Sequence, residues 1–342
     1  MLLLGMMSAP PLASAFSILS SRSMFLYECI MGTSLLGNRS DANKIDIFNP
    51  QTGSFTGTSF LVSLEESDKI STTTRCQDGA LMPELAVPGA YNNACMSMSE
   101  RKIPIGKSSG STLTIRQQAS GSGSTGLAVW NSALLMTRLV AALFDSSNLD
   151  RIPNLPKSIS ELGTGTALVS CALGRLLPDS QILATDGNPN VVSLAKTNIE
   201  LNRLARNVQA QQLQWGLLNA MDYSETFDLV VGSDLTYNSG TWRVLAETME
   251  TILKDDGYIL YLSLGHDGFN VNAELDGGFL SVAKEQVGLV EVPTYQGISV
   301  TSLLDKIILP SERKQILSSG VRVVVLQKSS YLKRLAKERK QK

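Results

Sequence analysis

From Gly126 onward, apolar runs of four to seven residues alternate with amphipathic stretches of ten or more. That alternation constrains the fold more than any other feature, because it calls for a parallel sheet covered by helices on both faces. Ser158 to Leu162 reads as a short strand entering a glycine turn, with a helix over Ala167 to Leu177 behind it. Ile182 to Thr185 is the next strand. Asn188-Pro189 then opens a helix, since Asn caps and Pro fits the first turn, and Val192, Ala195 and Ile199 share its buried face. Val208 to Leu213 and Phe227 to Gly232 are further strands, and the run Leu229-Val-Val231 suits one buried on both faces. Trp242 to Leu253 is amphipathic, and Asp255-Asp256-Gly257 reads as its C-terminus. Strands over Tyr258 to Leu264, Val287 to Val292 and Val321 to Leu326 complete the pattern.

Residues 1–110 differ in character. They are rich in Ser, Thr, Gly, Asn and Met, and Gln51 to Ser59 and Lys107 to Thr112 read as loop or linker. The expected organisation is an N-terminal extension of low order over 1–110, a catalytic domain over 111–329 and a basic tail over 330–342. Ala13-Ser14-Ala15 has the small-residue form of a cleavage site. With Phe16 it resembles the junction of bipartite plastid presequences, although no Lys or Arg precedes the apolar run at Met1 to Met7. Both a cytoplasmic and a plastid location stay open.

The chain carries 30 Lys and Arg against 31 Asp and Glu, so bulk charge does not point to a nucleic-acid binder. Cys29, Cys76, Cys95 and Cys171 show no CxxC pair, which supports neither a zinc site nor a disulfide framework. His266 is the single histidine, so no metal site needing two can exist, and none is expected. His266 itself reads as a loop residue. No apolar run reaches membrane-spanning length.

The turn Glu161-Leu-Gly-Thr-Gly-Thr166 lies between a strand and a helix. Gly163 and Gly165 let backbone approach a ligand, and the helix start adds a positive dipole. The dinucleotide fingerprint would want a third glycine where Leu168 stands. A carboxylate at Glu161 repels a pyrophosphate but suits a cofactor carrying an ammonium and a sulfonium. Asp186 ends the second strand, where an acid accepts the ribose hydroxyls of an adenosine cofactor and disfavours NADP.

These residues resemble the seven-strand, Rossmann-like (class I) S-adenosylmethionine-dependent methyltransferases. More narrowly, four motifs in order resemble methyltransferase family 16, the non-SET protein-lysine methyltransferases: Thr125-Gly126-Leu-Ala-Val129-Trp130, Glu161 to Thr166, Leu213-Gln-Trp215-Gly216, and Asp234-Leu-Thr-Tyr237. They span roughly residues 112–328 and leave the first 110 outside. The resemblance implies a seven-stranded, mostly parallel, twisted sheet with an antiparallel last strand. It implies S-adenosyl-L-methionine as cofactor, held by Trp130, Glu161, Gly163, Thr164, Gly165, Asp186, Trp215 and Ser233. It places Trp215 beside the adenine, Trp130 over the cofactor, and Asp234 and Tyr237 at the entry of the target lysine. There Asp234 would orient the incoming ammonium, raising its pKa and so positioning before it acts as a base. Tyr237 would offer its ring face to the cation. Asp228, inside the fourth strand, belongs to the strand edge rather than to chemistry.

The implied function is methyl transfer to a lysine side chain of a protein, by a monomer without a membrane span or a nucleic-acid partner. Methylation of a small molecule or of a protein histidine stays open, as does a non-catalytic adapter that keeps the fold. An NAD(P) oxidoreductase is disfavoured by Leu168 and Glu161. The basic residues from Tyr331 onward read as a solvated helical end.

Overall fold

The computed structural model describes residues 47–49, 54–56, 95, 98–106, 111–118, 124–264, 278–313, 316 and 320–341. The Ala13–Phe16 junction and His266 lie outside them. The chain divides into two compact units, residues 1–64 and 65–342. In the first, β1 (Ile47–Asn49) and β2 (Ser54–Thr56) form an antiparallel pair.

The second unit opens with a hairpin of β3 (Glu100–Pro104) and β4 (Thr112–Arg116). Then follow α1 (Asn131–Leu143), β5 (Ser158–Leu162), α2 (Leu168–Leu176), β6 (Gln181–Asp186), α3 (Pro189–Leu201), β7 (Val208–Gln212), β8 (Phe227–Ser233) and α4 (Trp242–Ile252). The chain continues through β9 (Leu253–Ser263), β10 (Leu289–Val292), α5 (Val300–Ile307), β11 (Arg322–Lys328) and α6 (Ser329–Gln341). Seven strands form one sheet in the order β10-β11-β9-β8-β5-β6-β7. The pairs from β7 across to β9 are parallel, and β11 runs antiparallel to both β9 and β10. This is the mostly parallel seven-stranded sheet that the motifs implied, with the antiparallel strand last.

Side chains alternate between two cores with period two, as a sheet covered on both faces requires. Leu229, Val231, Leu260, Leu262, Val323 and Val325 pack under α1, α2, α3 and α5. Val230, Ile259, Tyr261, Val324 and Leu326 pack under α4 with Trp242, Leu245 and Met249. Asn188 caps α3 by accepting from the Asn190 amide, with Pro189 in the first turn, and Val192, Ala195 and Ile199 are buried as the spacing required.

Two details depart from the sequence reading. The helix before Asp255-Asp256-Gly257 ends at Ile252, and residues 253–263 are all strand. Leu253 is fully buried and pairs with Phe227, and the register shifts between Phe227 and Leu229. Lys254 reaches Asp228, 2.7 Å away, and Asp255 pairs with Arg334 of α6. The polar run is thus a strand irregularity fixed by ion pairs, not a helix stop. Second, ordered structure begins ahead of residue 111: Ile103 and Ile105 are buried in the main core with Leu113 and Ile115. Asn198, in the last turn of α3, and Asn202, which caps its C-terminus, hold the hairpin by imitating a strand edge. Asn198 accepts from the Arg116 amide and donates to the Arg116 carbonyl, and Asn202 does the same with Thr114.

Of the cysteines, Cys95 is disulfide-bonded, which the cysteine spacing did not signal, and Cys171 is a buried free thiol. Among the described residues no helix is long and apolar enough to cross a membrane, and no cluster of His, Cys, Asp and Glu could hold a metal ion.

Candidate active site

In the order β7-β6-β5-β8 the chain leaves β5 in one direction and returns on its other side at β8. The crevice at the carboxyl ends of β5 and β8 is therefore the topological switch point, where α/β sheets bind ligands. Glu161, Gly163, Gly165, Asp186, Ser233 and Asp234 all fall on that edge, at or just beyond the ends of β5, β6 and β8.

The turn after β5 works only with glycine. Gly163 and Gly165 have φ of 60° and 54°, in the left-handed region that side chains disfavour. A Cβ on Gly163 would stand 2.3 Å from Leu235 Cδ2, and one on Gly165 would stand 3.2 Å from the Gly126 carbonyl oxygen. The cofactor turn thus touches two other motifs: Gly126 on one side, and the Asp234–Tyr237 loop on the other.

Glu161 is buried beneath the turn, and the Thr164 hydroxyl (2.6 Å), the Ser170 amide (2.9 Å) and the Ser170 hydroxyl (2.5 Å) all donate to its Oε2. Burial raises its pKa to about 7; these donors pull it back only in part, and nearby Asp186 adds to the rise. Asp186 accepts from the amides of Gly165 (3.3 Å) and Asn188 (3.0 Å), and burial raises its pKa as well. The donors to both carboxylates are hydroxyls and amides, so a cation arriving here gains their charge. The residues present fit S-adenosylmethionine: a turn with no Cβ at Gly163 and Gly165, and two carboxylates suited to a ribose and a cationic tail.

The Thr164 hydroxyl is engaged with Glu161. Ser170, which the sequence reading passed over, supplies two of the three bonds to that carboxylate. A serine on the otherwise apolar face of α2 was its only signal. Trp215 is half-buried against the core under α4, and the Gly216 amide behind it donates to Thr248 Oγ1 at 2.8 Å. Trp130 precedes α1 at its N-cap, packs on the Cys95–Ala128 cluster, and donates its indole N–H to the Thr125 carbonyl at 2.7 Å. Its N–H thus closes the Thr125–Trp130 loop on itself.

Asp234 has φ of 59°, rare for a residue with a side chain and a form of backbone strain concentrated at functional sites. The end of β9 holds it there. The Asp234 amide donates to the Leu262 carbonyl (2.8 Å), and its Oδ1 accepts from the Leu264 amide (3.2 Å). Tyr237 is 62% exposed, so it is a surface residue of this edge and not part of the core. Asp228 lies at the opposite edge. It accepts from the Lys157 and Ser158 amides and pairs with Lys254. Burial would raise its pKa, but Lys254 and those donors outweigh it and hold the carboxyl below its ordinary value. Asp228 is a structural tie between β5 and β8, as its place in the strand suggested.

This topology, with a glycine turn and an acid at the end of each of β5 and β6, is that of a class I S-adenosylmethionine-dependent methyltransferase domain. Within that class, residues 107–271 match the family model described as lysine methyltransferase. The chain is 34% identical to the calmodulin-lysine N-methyltransferase of Arabidopsis thaliana, over 34% of this chain and 38% of that protein. It is 31% identical to the protein-lysine N-methyltransferase EFM3 of Chaetomium thermophilum, over 41% and 42% of the two chains. It is 25% identical to the protein N-lysine methyltransferase METTL21A of Danio rerio, over 48% and 69%. The match thus spans about two fifths of the length of the first two relatives.

Proposed function

We propose that this protein transfers a methyl group from S-adenosylmethionine to the side-chain nitrogen of a lysine in a protein substrate. The observation that carries the reading is the contact between the two halves of the site. The Leu235 side chain, inside Asp234-Leu-Thr-Tyr237, fills the space above Gly163, which sets the acceptor loop directly on the cofactor turn. The family match and the names of the relatives support the same reading.

Glu161 and Asp186 would hold the cofactor, and Gly163 and Gly165 would let it approach the backbone. The bound cofactor supplies a methyl group already activated by a sulfonium. What remains for the chain is alignment and exclusion of water, and alignment alone can be worth about 7–11 kcal/mol of barrier. Asp234 receives and orients the lysine nitrogen. Its charge favours the ammonium, so it positions the group rather than neutralising it. Tyr237, exposed beside it, can lay its ring on the lysine stem and cation, a contact worth about 0.5–2 kcal/mol. The test is incubation of the full chain with labelled S-adenosylmethionine and cell extract, followed by tandem mass spectrometry of the labelled product. Label on a protein lysine is the expected result. Label confined to a small molecule or to histidine would overturn the reading.

A further inference from the structure

We propose that Tyr261 is a positioning residue for methyl transfer, holding the acceptor loop in register with the cofactor turn through its hydroxyl. The inference rests on the lysine-transfer reading of the Asp234 loop. Tyr261 is fully buried on β9, two strands away from the glycine turn. It touches neither ligand site directly. Its hydroxyl accepts a hydrogen bond from the Leu235 amide at 2.5 Å and donates one to Thr236 Oγ1 at 3.3 Å. A neutral phenol oxygen can both accept and donate, and burial pushes its pKa further up.

The surroundings show what this arrangement fixes. Asp234 is held in its left-handed conformation by its amide on the Leu262 carbonyl and its Oδ1 on the Leu264 amide, on either side of Ser263 and just past Tyr261. Leu235 follows, its amide on the Tyr261 hydroxyl and its side chain over Gly163. Thr236 comes next, with its carbonyl accepting from the Trp242 indole at 2.9 Å. A phenylalanine at 261 would keep the ring packed on Phe279, whose centroid lies 5.8 Å away, but would leave the Leu235 amide without its acceptor. Leu235 could then lift from the glycine turn and carry Asp234 with it. Rates of enzymes that work by alignment respond steeply to such shifts, with about 100-fold lost for 1 Å.

The experiment compares wild type with Tyr261→Phe in three readouts. Calorimetry with S-adenosylmethionine is expected to give unchanged affinity, because Glu161 and Asp186 are untouched. Amide hydrogen exchange on the cofactor-loaded enzyme is expected to show lost protection at Leu235 and Thr236, with Gly165 unchanged. Turnover on the mapped protein acceptor is expected to fall about 10- to 100-fold in kcat with little change in KM. Turnover is referred to the cofactor-binding fraction that calorimetry counts, so a loss of folded enzyme alone would leave kcat per active site at wild type. Wild-type exchange at Leu235 together with wild-type kcat would overturn the proposal. If Tyr261→Phe does not fold, exchange on wild type decides: slow exchange at the Leu235 amide supports the bond to the Tyr261 hydroxyl, and exchange there as fast as at exposed Tyr237 would overturn the proposal. Failure of wild type to label any lysine would sink the functional reading instead, while the exchange arm would still report on the loop.

Discussion

If Glu161 holds the cofactor as proposed, binding should release a proton, and the size of the effect follows from the burial of this carboxyl. With its pKa at about 7 in the ligand-free protein, the carboxyl is about 90% protonated at pH 6 and about 10% protonated at pH 8. A ligand carrying an ammonium and a sulfonium favours the ionised form. Binding at pH 6 should therefore expel about 0.9 proton, and binding at pH 8 about 0.1. Affinity should weaken towards tenfold for each pH unit below 7. The assay is calorimetry in buffers of different ionisation enthalpy, whose slope reads the proton count directly. The same group sets the stability of the ligand-free fold. Its folded pKa lies above the ordinary 4.5, so the native state holds the proton that the unfolded chain has lost. Stability then falls as pH rises from 4.5 to 7, by about 3 kcal/mol at full ionisation. Glu161→Gln, which cannot ionise, should lose cofactor affinity yet gain on wild type in ligand-free stability between those pH values. Zero proton release at pH 6, or a stability difference independent of pH, would refute the argument that this carboxyl awaits a cation.

Three further outcomes follow from the geometry. Asp234→Ala should abolish methyl transfer while leaving calorimetric affinity for S-adenosylmethionine near wild type; wild-type turnover on the mapped substrate would count against its role at the acceptor. Asp186→Ala should weaken cofactor binding, since it loses the proposed ribose contact along with the carboxylate that braces the Gly165 and Asn188 amides; unchanged binding would remove the ribose assignment. Asn198→Ala strips the Arg116 amide and carbonyl of their partners. It should lower unfolding stability by about 1–3 kcal/mol in denaturant titration, and a loss of under half that would show the hairpin is held by its apolar face alone.

Much of this was legible in the sequence where the signal is local. The glycine turn, the Asn188-Pro189 cap and the apolar runs of β8 and β9 depend on neighbours in the chain, and each lies where the pattern put it. What escaped depends on distant partners. Asp255-Asp256-Gly257 looked like a helix end because charged residues and a glycine usually break helices. Instead Leu253 is buried, and Asp228 and Arg334, from elsewhere in the chain, pin the run into β9. The hairpin at Glu100 escaped because its apolar residues sit within a polar composition. Its anchors, Asn198 and Asn202, look like ordinary helix-surface residues until β4 is laid against them. Ser170 and Tyr261 carry no motif; their meaning comes from which backbone or carboxylate they face.

The charge arrangement along the sheet argues for the kind of ligand more directly than any motif. At the amino edge Asp228 meets a lysine, and its pKa is held below the ordinary value. At the carboxyl edge Glu161 and Asp186 meet only hydroxyls and amides in their hydrogen bonds, and both are pushed the other way. A fold has no stability reason to bury two carboxylates near each other without a cation, because desolvation disfavours their charged forms. Such unrelieved burial is a form of strain that a positively charged ligand removes on binding. The acceptor loop is built on the same edge, with Asp234 in a strained conformation and Leu235 laid over the glycine turn. The groups that destabilise the ligand-free protein are therefore the ones to which the proposed function assigns donor and acceptor.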